Sequence, residues 1–325
     1  MSHSAQELRE HYRMMWLIRE FEQALSEQFS AGTIGGTSHF CIGQEACAVG
    51  AIAGLRDDDL VTSNHRGHGH FLAKGADPGR LMAELMGKAD GYSAGRGGSQ
   101  HMADFSIGFL GSNGITGGMI PVATGAALSQ QLRRTGRVVL CMFGDGACAQ
   151  GAFHEGVNIG AIWGLPIVYF IENNLYAMST PVTQNFNIRK LSDFSGSYGI
   201  RGITIDGNNY FCVRDATREA VESARSGGGP TIIEALTYRR CGHSKSDTCE
   251  YRTDEEERSW VQRDPLTTMC DRLLAEGILD THTDELLRTQ AREAVEQAVA
   301  FARSSPDPAP ETASTGVLAS SGLSS

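Results

Sequence analysis

No part of this sequence gathers its basic residues: 28 lysines and arginines are scattered among 38 aspartates and glutamates, for a formal net charge of -10. That argues against nucleic acid or an acidic membrane surface as a partner, because no basic run offsets the acidic balance. An anionic ligand therefore needs a dedicated local site. No apolar run approaches the ~20 residues that cross a bilayer. The N-terminal segment MSHSAQELREHYRMMWLIREFEQALSEQF lacks the apolar core and small-residue cleavage site of a leader. The eight cysteines form no C-x-x-C pair, and several lie inside apolar runs such as VVLCMF. This is the usage of a reduced, cytoplasmic protein rather than a disulfide framework. No internal repeat is visible. What is present is 325 residues with 41% hydrophobic content, enough for a sizeable core without covalent staples.

Along the chain, Leu8, Tyr12, Met15, Trp16, Ile18, Phe21, Leu25 and Phe29 recur at three- and four-residue steps, which predicts an amphipathic helix over 5–31. A second helix is expected over 44–54, then a short strand near Leu60 to Thr62, a polar His/Gly loop, and a helix around 78–87. The stretch from Gly87 to Gly118 is so rich in glycine that its backbone must turn tightly or lie close to something. From Arg137 the pattern alternates: RVVLCMFGDG, AFHEGVNIGAIWG, LPIVYFIENN, RGITIDGNN, a helix in 211–226, and PTIIEALTYRR. Unbroken Val/Ile/Leu runs predict strands covered on both faces, hence an α/β fold with a parallel sheet and helices on either side. Residues 254–303 read as charged helix. The chain is expected to form one domain over 1–303, with a flexible tail over 304–325 that has too little large apolar surface to fold alone.

Two polar knots close two of the predicted strands, Gly144-Asp145-Gly146 and Asn173-Asn174. A strand, a helix and a second parallel strand form a right-handed crossover, so both strands end at the same edge of the sheet. Asp145 and Asn174 should therefore meet at the carboxyl edge, where open α/β sheets bind ligands. One carboxylate and one amide oxygen suit Mg²⁺, which completes its octahedron with waters and ligand phosphates. Gly144 and Gly146 let backbone approach a diphosphate, and the helix beginning near Ala149 to Phe153 would aim N–H groups at it. Either motif alone is an ordinary turn.

At this spacing the pair resembles the thiamin diphosphate signature, GDG followed by about two dozen residues and NN. The segments HFCIGQEACAVG, SNHRGHGHFLAKG, GRGGSQHM, GSNGITGGMIPVATGAALS and YRRCGHSKSDTCEYR extend the likeness from about residue 10 to 310. Together they resemble the α subunit of the E1 component of 2-oxo acid and acetoin dehydrogenase complexes. That resemblance implies a thiamin diphosphate-binding fold and an enzyme that decarboxylates pyruvate or cleaves acetoin and passes the acyl unit to a lipoyl carrier. Carried over by position, it implies Asp145, Asn174 and the backbone of Tyr176 as Mg²⁺ ligands, with Gly144, Gly146 and Ala147 against the diphosphate. His65, Arg66, Arg239 and His243 would grip the diphosphate, Gly114 and Thr116 would contact the aminopyrimidine, and His39 would assist acyl transfer, with His243 also catalytic. The glutamate that activates the cofactor would come from a β subunit in an α2β2 assembly, with a lipoyl-bearing E2 acyltransferase as a further partner. Glu172, at the metal end, is not that acid.

The sequence departs from the family pattern at Ala149, where Asn is frequent, at Cys241, which is His in the pyruvate branch, and at His65, which replaces a frequent Tyr. The HRGHGH run and the short chain are closer to the acetoin branch. Residues 242–252 would form a mobile loop over the cofactor, with Ser244 at a position phosphorylated in some mitochondrial relatives. Read in isolation, His65, His68 and His70 are loop histidines, and His101 and His154 are structural. Competing readings are a zinc hydrolase built on HRGHGH, a non-catalytic regulatory paralogue, a branched-chain 2-oxo acid enzyme, and another thiamin-dependent C–C lyase or ligase.

Overall fold

The computed structural model describes residues 4–315. In chain order the strands are β1 (Leu60–Thr62), β2 (Phe109–Gly111), β3 (Val139–Gly144), β4 (Ile167–Asn173), the short pair β5 (Tyr176–Ala177) and β6 (Thr180–Pro181), β7 (Arg201–Asp206) and β8 (Thr231–Leu236). The helices are α1 (Ala5–Ser30), α2 (Glu45–Ala53), α3 (His68–Ala73), α4 (Pro78–Leu85), α5 (Met119–Arg133), α6 (Gly151–Ile162), α7 (Val182–Asn185), α8 (Ser195–Tyr198), α9 (Tyr210–Arg225), α10 (Asp254–Val261), α11 (Pro265–Ala275) and α12 (Thr281–Ser304). One wholly parallel sheet runs in the order β2-β1-β3-β4-β8-β7, and β5 and β6 form a separate antiparallel hairpin.

The central strands alternate between two cores, as burial on both faces requires. Leu140, Met142, Val168 and Phe170 face a core shared with α1, α2, α9, α11 and α12. Val139, Cys141, Phe143, Ile167, Tyr169 and Ile171 face a second core with α5 and α6. All eight cysteines are free thiols, and no described helix is long and apolar enough to cross a membrane.

Helix α1 starts on a capping box, in which Glu7 N donates to Ser4 Oγ at 3.2 Å and Ser4 N donates to Glu7 Oε2 at 2.6 Å. Its buried stripe includes Leu8, Tyr12, Met15, Ile18, Phe21 and Leu25. The stripe also carries Arg19, which is bonded to Glu45 Oε1 at 2.5 Å and to Asp264 at 3.0 Å. Removing one partner of such a buried set leaves an uncompensated charge, at a cost of about 3–5 kcal/mol. Its structural effect is to pin the starts of α2 and α11 to α1.

The structure adds to the sequence reading and departs from it in places. Residues 119–133, to which that reading assigns no element, form α5; its internal Gly and Pro mask the signal. The loop expected at HRGHGH is helical from His68, because burial of His68, His70, Phe71 and Leu72 outweighs the glycine between them. The glycine-rich stretch does turn tightly against a charged group, but that group is a protein carboxylate. Buried Glu84 accepts from the backbone N–H of Ser93, Gly95, Gly97 and Gly98 at 2.7, 2.9, 2.7 and 3.0 Å. Gly95 is obligatory there, since a Cβ would lie 2.3 Å from Gly87 C.

Beyond α12 the chain continues along the same glycine-rich segment. Ala89 N donates to Pro306 O at 2.9 Å, Lys88 pairs with Asp307 at 2.7 Å, and Arg96 Nη1 donates to Thr315 O at 2.8 Å. The rest of the expected tail, 316–325, lies outside the described residues.

Candidate active site

The crossover places the two polar knots together. In the β3–β4 ladder Gly144 pairs with Glu172, so Asp145 and Asn174 leave the sheet at its carboxyl edge one residue out of step. A cavity of about 380 Å³ opens there, lined by Gln44, Arg66, Gly114, Thr116, Asp145, Asn174 and Tyr176 among others. His39, His65 and His243 share its wall.

Asp145 is buried, and its Oδ2 has no hydrogen-bond partner. Burial raises its carboxyl pKa to about 6, against the opposing pull of backbone amides and of Arg239 and Arg66. Asn174 is buried as well, and its Oδ1 is also unpartnered. Two buried, unsatisfied oxygen acceptors on one cavity are expensive unless a cation meets them. Asn173, by contrast, is structural: its Nδ2 donates to Glu234 at 2.8 Å and its Oδ1 accepts from Leu175 N at 3.1 Å. Leu175 then adopts φ +74°, the left-handed region that costs a β-carbon-bearing residue about 1–2 kcal/mol, and this turn brings Tyr176 back onto the cavity.

Arg66 brings positive charge to the wall, held by Phe40 O at 2.6 Å and His243 O at 3.0 Å. A side chain at position 144 would meet no protein atom closer than Glu172 O at 4.0 Å, so Gly144 leaves that volume to the cavity. Gly146 has a packing reason instead, since a Cβ there would approach Ala177 Cβ to 2.9 Å. Helix α6 starts at Gly151, within the expected Ala149 to Phe153 window, with a short 3-10 turn over Asp145–Ala149 before it.

A profile of the family described as dehydrogenase E1 component matches residues 12–311. The chain belongs to that family. It is similar to the α subunit of acetoin:2,6-dichlorophenolindophenol oxidoreductase from Bacillus subtilis, 43% identical over 298 residues that cover 91% of this chain and 89% of the relative. The corresponding subunit from Cupriavidus necator is 39% identical over 310 residues, covering 95% and 93%. The pyruvate dehydrogenase E1 component subunit alpha of Rhizobium meliloti is 41% identical over 298 residues, covering 91% and 86%. Membership of the E1 family implies thiamin diphosphate as the cofactor. The unpartnered oxygens of Asp145 and Asn174, the Arg66 charge and the space at Gly144 fit its diphosphate end.

In this E1 chain the structure brings most of the expected residues onto one cavity, namely His39, His65, Arg66, Gly114, Thr116, Gly144, Asp145, Gly146, Ala147, Asn174, Tyr176 and His243. Arg239 stands behind the lining. Its guanidinium donates to Met178 O, to Tyr251 Oη at 2.9 Å and to Cys241 O at 3.3 Å, and lies 3.8 Å from Asp247. Asp247 in turn accepts from His243 N and Tyr251 Oη, both at 2.6 Å, so it ties the segment 242–252 together, and His243 is the residue of that segment on the cavity wall.

The HRGHGH histidines do not converge. His68 lies 2.7 Å from Glu22 and 2.8 Å from Ser99 Oγ, and His70 lies 2.8 Å from Ser63 Oγ and 3.1 Å from Glu172. That removes the basis for a zinc hydrolase built on this run. His154 Nδ1 is 2.5 Å from Tyr198 Oη, at an exposed site away from the cavity.

The sequence reading names GQEA as a motif but misses what Gln44 does. Gln44 is the N-cap of α2, yet its side chain caps nothing; it accepts from Asn174 Nδ2 at 3.1 Å. That bond turns the Asn174 oxygen away from Gln44. Gly43 makes the placement possible at φ +97°, where a Cβ would strike Tyr238 O at 2.4 Å. Gln44 is thus a positioning residue. Gln44→Ala is expected to raise the Mg²⁺ concentration needed for half-maximal activity by about 10–100-fold, with a smaller change in kcat at saturating Mg²⁺. An equal fall in kcat with unchanged Mg²⁺ dependence would assign Gln44 another role.

Proposed function

We propose that this chain is the α subunit of a heteromeric thiamin diphosphate-dependent E1 enzyme that takes a two-carbon acyl unit from acetoin or pyruvate and passes it to a lipoyl carrier. The observation that carries the reading is the pair of buried, unpartnered oxygens of Asp145 and Asn174 at the carboxyl edge of β3 and β4. With the backbone of Tyr176 they would hold Mg²⁺, a hard cation that takes oxygen ligands and leaves positions for ligand phosphates. When bound, thiamin diphosphate supplies the electron sink for C–C cleavage next to a carbonyl.

The chain's own residues bind and orient. Arg66 offsets diphosphate charge. Burial first, and the Arg66 guanidinium second, keep His39, His65 and His243 neutral, so each presents one N–H donor and one lone pair near neutral pH. His39 lies on the cavity wall, and the family likeness gives it the role of assisting acyl transfer. The segment 242–252, tied together by Asp247, would order over the bound cofactor. A β subunit completes the site, and an α2β2 assembly with a lipoyl-bearing E2 partner follows from the family likeness.

Between the substrates, the His65-containing run favours acetoin. The test is reduction of an artificial electron acceptor by the chain purified with its native partners, offered acetoin, pyruvate and branched-chain 2-oxo acids. Turnover with acetoin or pyruvate well above the branched acids is expected. Bound cofactor with turnover only on branched acids would overturn the substrate assignment, and no turnover on any of them would favour a regulatory role.

A further inference from the structure

Tyr176 reaches the cavity on a short, strained turn. Leu175 before it and Met178 after it both take positive φ, +74° and +53°, and the β5–β6 hairpin pairs only Tyr176 with Pro181 and Ala177 with Thr180. A hairpin this small is marginal by itself. Its anchor is the Tyr176 side chain. The hydroxyl donates to Glu256 Oε2 at 2.8 Å, and the other oxygen of that carboxylate accepts from Tyr238 Oη, also at 2.8 Å. The Arg252 guanidinium, on a side chain only 1% exposed, lies over the rings of Tyr238, Tyr176 and Tyr251 at 4.7, 5.3 and 5.5 Å.

Glu256 comes from helix α10, 80 residues further along the chain. No residue of α10 is buried, so a hidden apolar face does not set its place. It holds to the body through Glu256 and through Trp260, whose ring stacks on Tyr238 with centroids 5.4 Å and planes 5° apart. Thr253 caps its first turn, accepting from Glu256 N at 3.2 Å, and so fixes the backbone from which the carboxylate extends.

We propose that Glu256 is a positioning residue for the metal end. By holding the Tyr176 hydroxyl it fixes the Tyr176 backbone carbonyl, the third oxygen that the proposed function gives to Mg²⁺, and α10 thereby braces the site from outside. The inference rests on that reading of Asp145, Asn174 and Tyr176. Two side-chain torsions separate a tyrosine ring from its backbone, so fixing the ring's tip and face leaves the carbonyl little freedom. Ligands held by such outer partners bind metal more tightly, and losing one partner costs about 10–100-fold in affinity. A carboxylate that merely anchored α10 would leave metal affinity unchanged.

The experiment uses the enzyme purified with its native partners, stripped of metal and titrated with Mn²⁺ in the presence of thiamin diphosphate. Free Mn²⁺ is read from its paramagnetic resonance signal. Glu256→Ala and Tyr176→Phe should each weaken Mn²⁺ binding by about 10-fold. The double variant should be no weaker than either alone, because both changes remove the same link. Tyr176→Phe keeps the carbonyl and the ring, so it reads the link without dismantling the turn. Glu256→Gln, which can still bond both hydroxyls, should restore binding. In turnover the loss should appear as a higher Mg²⁺ requirement at unchanged kcat. Unaltered Mn²⁺ affinity in Tyr176→Phe, or effects that add in the double variant, would overturn the proposal. Asp145→Asn tests the metal reading separately. If that variant binds Mn²⁺ as the unaltered enzyme does, the reading itself has failed; if it loses binding while Glu256→Ala and Tyr176→Phe keep theirs, only the brace has.

Discussion

Asp145→Asn is expected to abolish Mg²⁺-dependent binding of thiamin diphosphate and, at the same time, to make the cofactor-free chain harder to unfold at neutral pH. Both effects have one cause. The carboxyl is buried with an unpartnered oxygen, and burial raises its pKa from 3.8 to about 6. Because the folded-state value lies above the unfolded one, the folded chain holds this proton more tightly. The associated stability is present below about pH 4 and is lost as pH rises towards 6. Above pH 6 the charged group costs about 3 kcal/mol, taking 1.36 kcal/mol for each factor of ten in proton affinity. An amide of nearly the same shape carries no such cost. Urea unfolding of both proteins at pH 5 and 7.5, without metal or cofactor, should show the variant's advantage growing with pH. Thiamin diphosphate with Mg²⁺ should then stabilise the unaltered protein by mass action and leave the variant unmoved. A variant that is less stable at pH 7.5 and still binds the cofactor would refute the metal assignment.

The second large effect concerns the chain by itself. Its cavity presents two carboxylates among the described residues, Asp145 and Glu172. In the proposed reading Asp145 belongs to the metal end. Glu172 is paired with His70 at 3.1 Å and lies beside Gly144 in the β3–β4 ladder, so it sits at the same end. No carboxylic acid is then left for the end near Gly114 and Thr116, where the proposed reading places the aminopyrimidine. The cavity mouth instead exposes apolar surface, with Ile115, next to Gly114, 71% exposed and Met178 63% exposed. Large apolar side chains left bare beside a catalytic cleft mark a surface that a partner covers. The chain purified alone should therefore run about 10²–10⁴-fold slower than the assembled enzyme, the usual contribution of a positioned general acid or base. Adding back the β subunit should restore the rate. Comparable rates from the rigorously separated chain would show that it carries its own acid.

Much of this site is legible in the sequence because its chemistry sits where local rules apply. Strand runs ending in GDG and ENN, with a helix-length segment between, place Asp145 and Asn174 by topology alone, and the parallel sheet obeys that placement. What escapes is settled by contacts between distant segments. Gln44 reaches Asn174 from 130 residues away, and a glutamine at a helix start carries no mark of that task. The HRGHGH histidines read as loop histidines, yet helix α3 sends His68 to Glu22 on α1 and His70 to Glu172 on β4, leaving His65 to join His39 and His243. The glycine-rich stretch signals close backbone approach correctly but not to what; a single carboxylate, Glu84, organises much of it. Arg239 bears the charge expected of a diphosphate ligand, yet it is turned to the carbonyl of Met178 and the ring of Tyr251, behind the wall it was expected to line.

The most direct test of the central claim is an add-back assay on the enzyme purified with its partners. The complex is stripped of cofactor and metal, and acceptor reduction with acetoin and with pyruvate is followed as thiamin diphosphate and Mg²⁺ are returned singly and together. The account predicts turnover only when both are present, and none when the complex carries Asp145→Asn. Turnover that is indifferent to thiamin diphosphate, or that survives the Asp145 substitution, would contradict it.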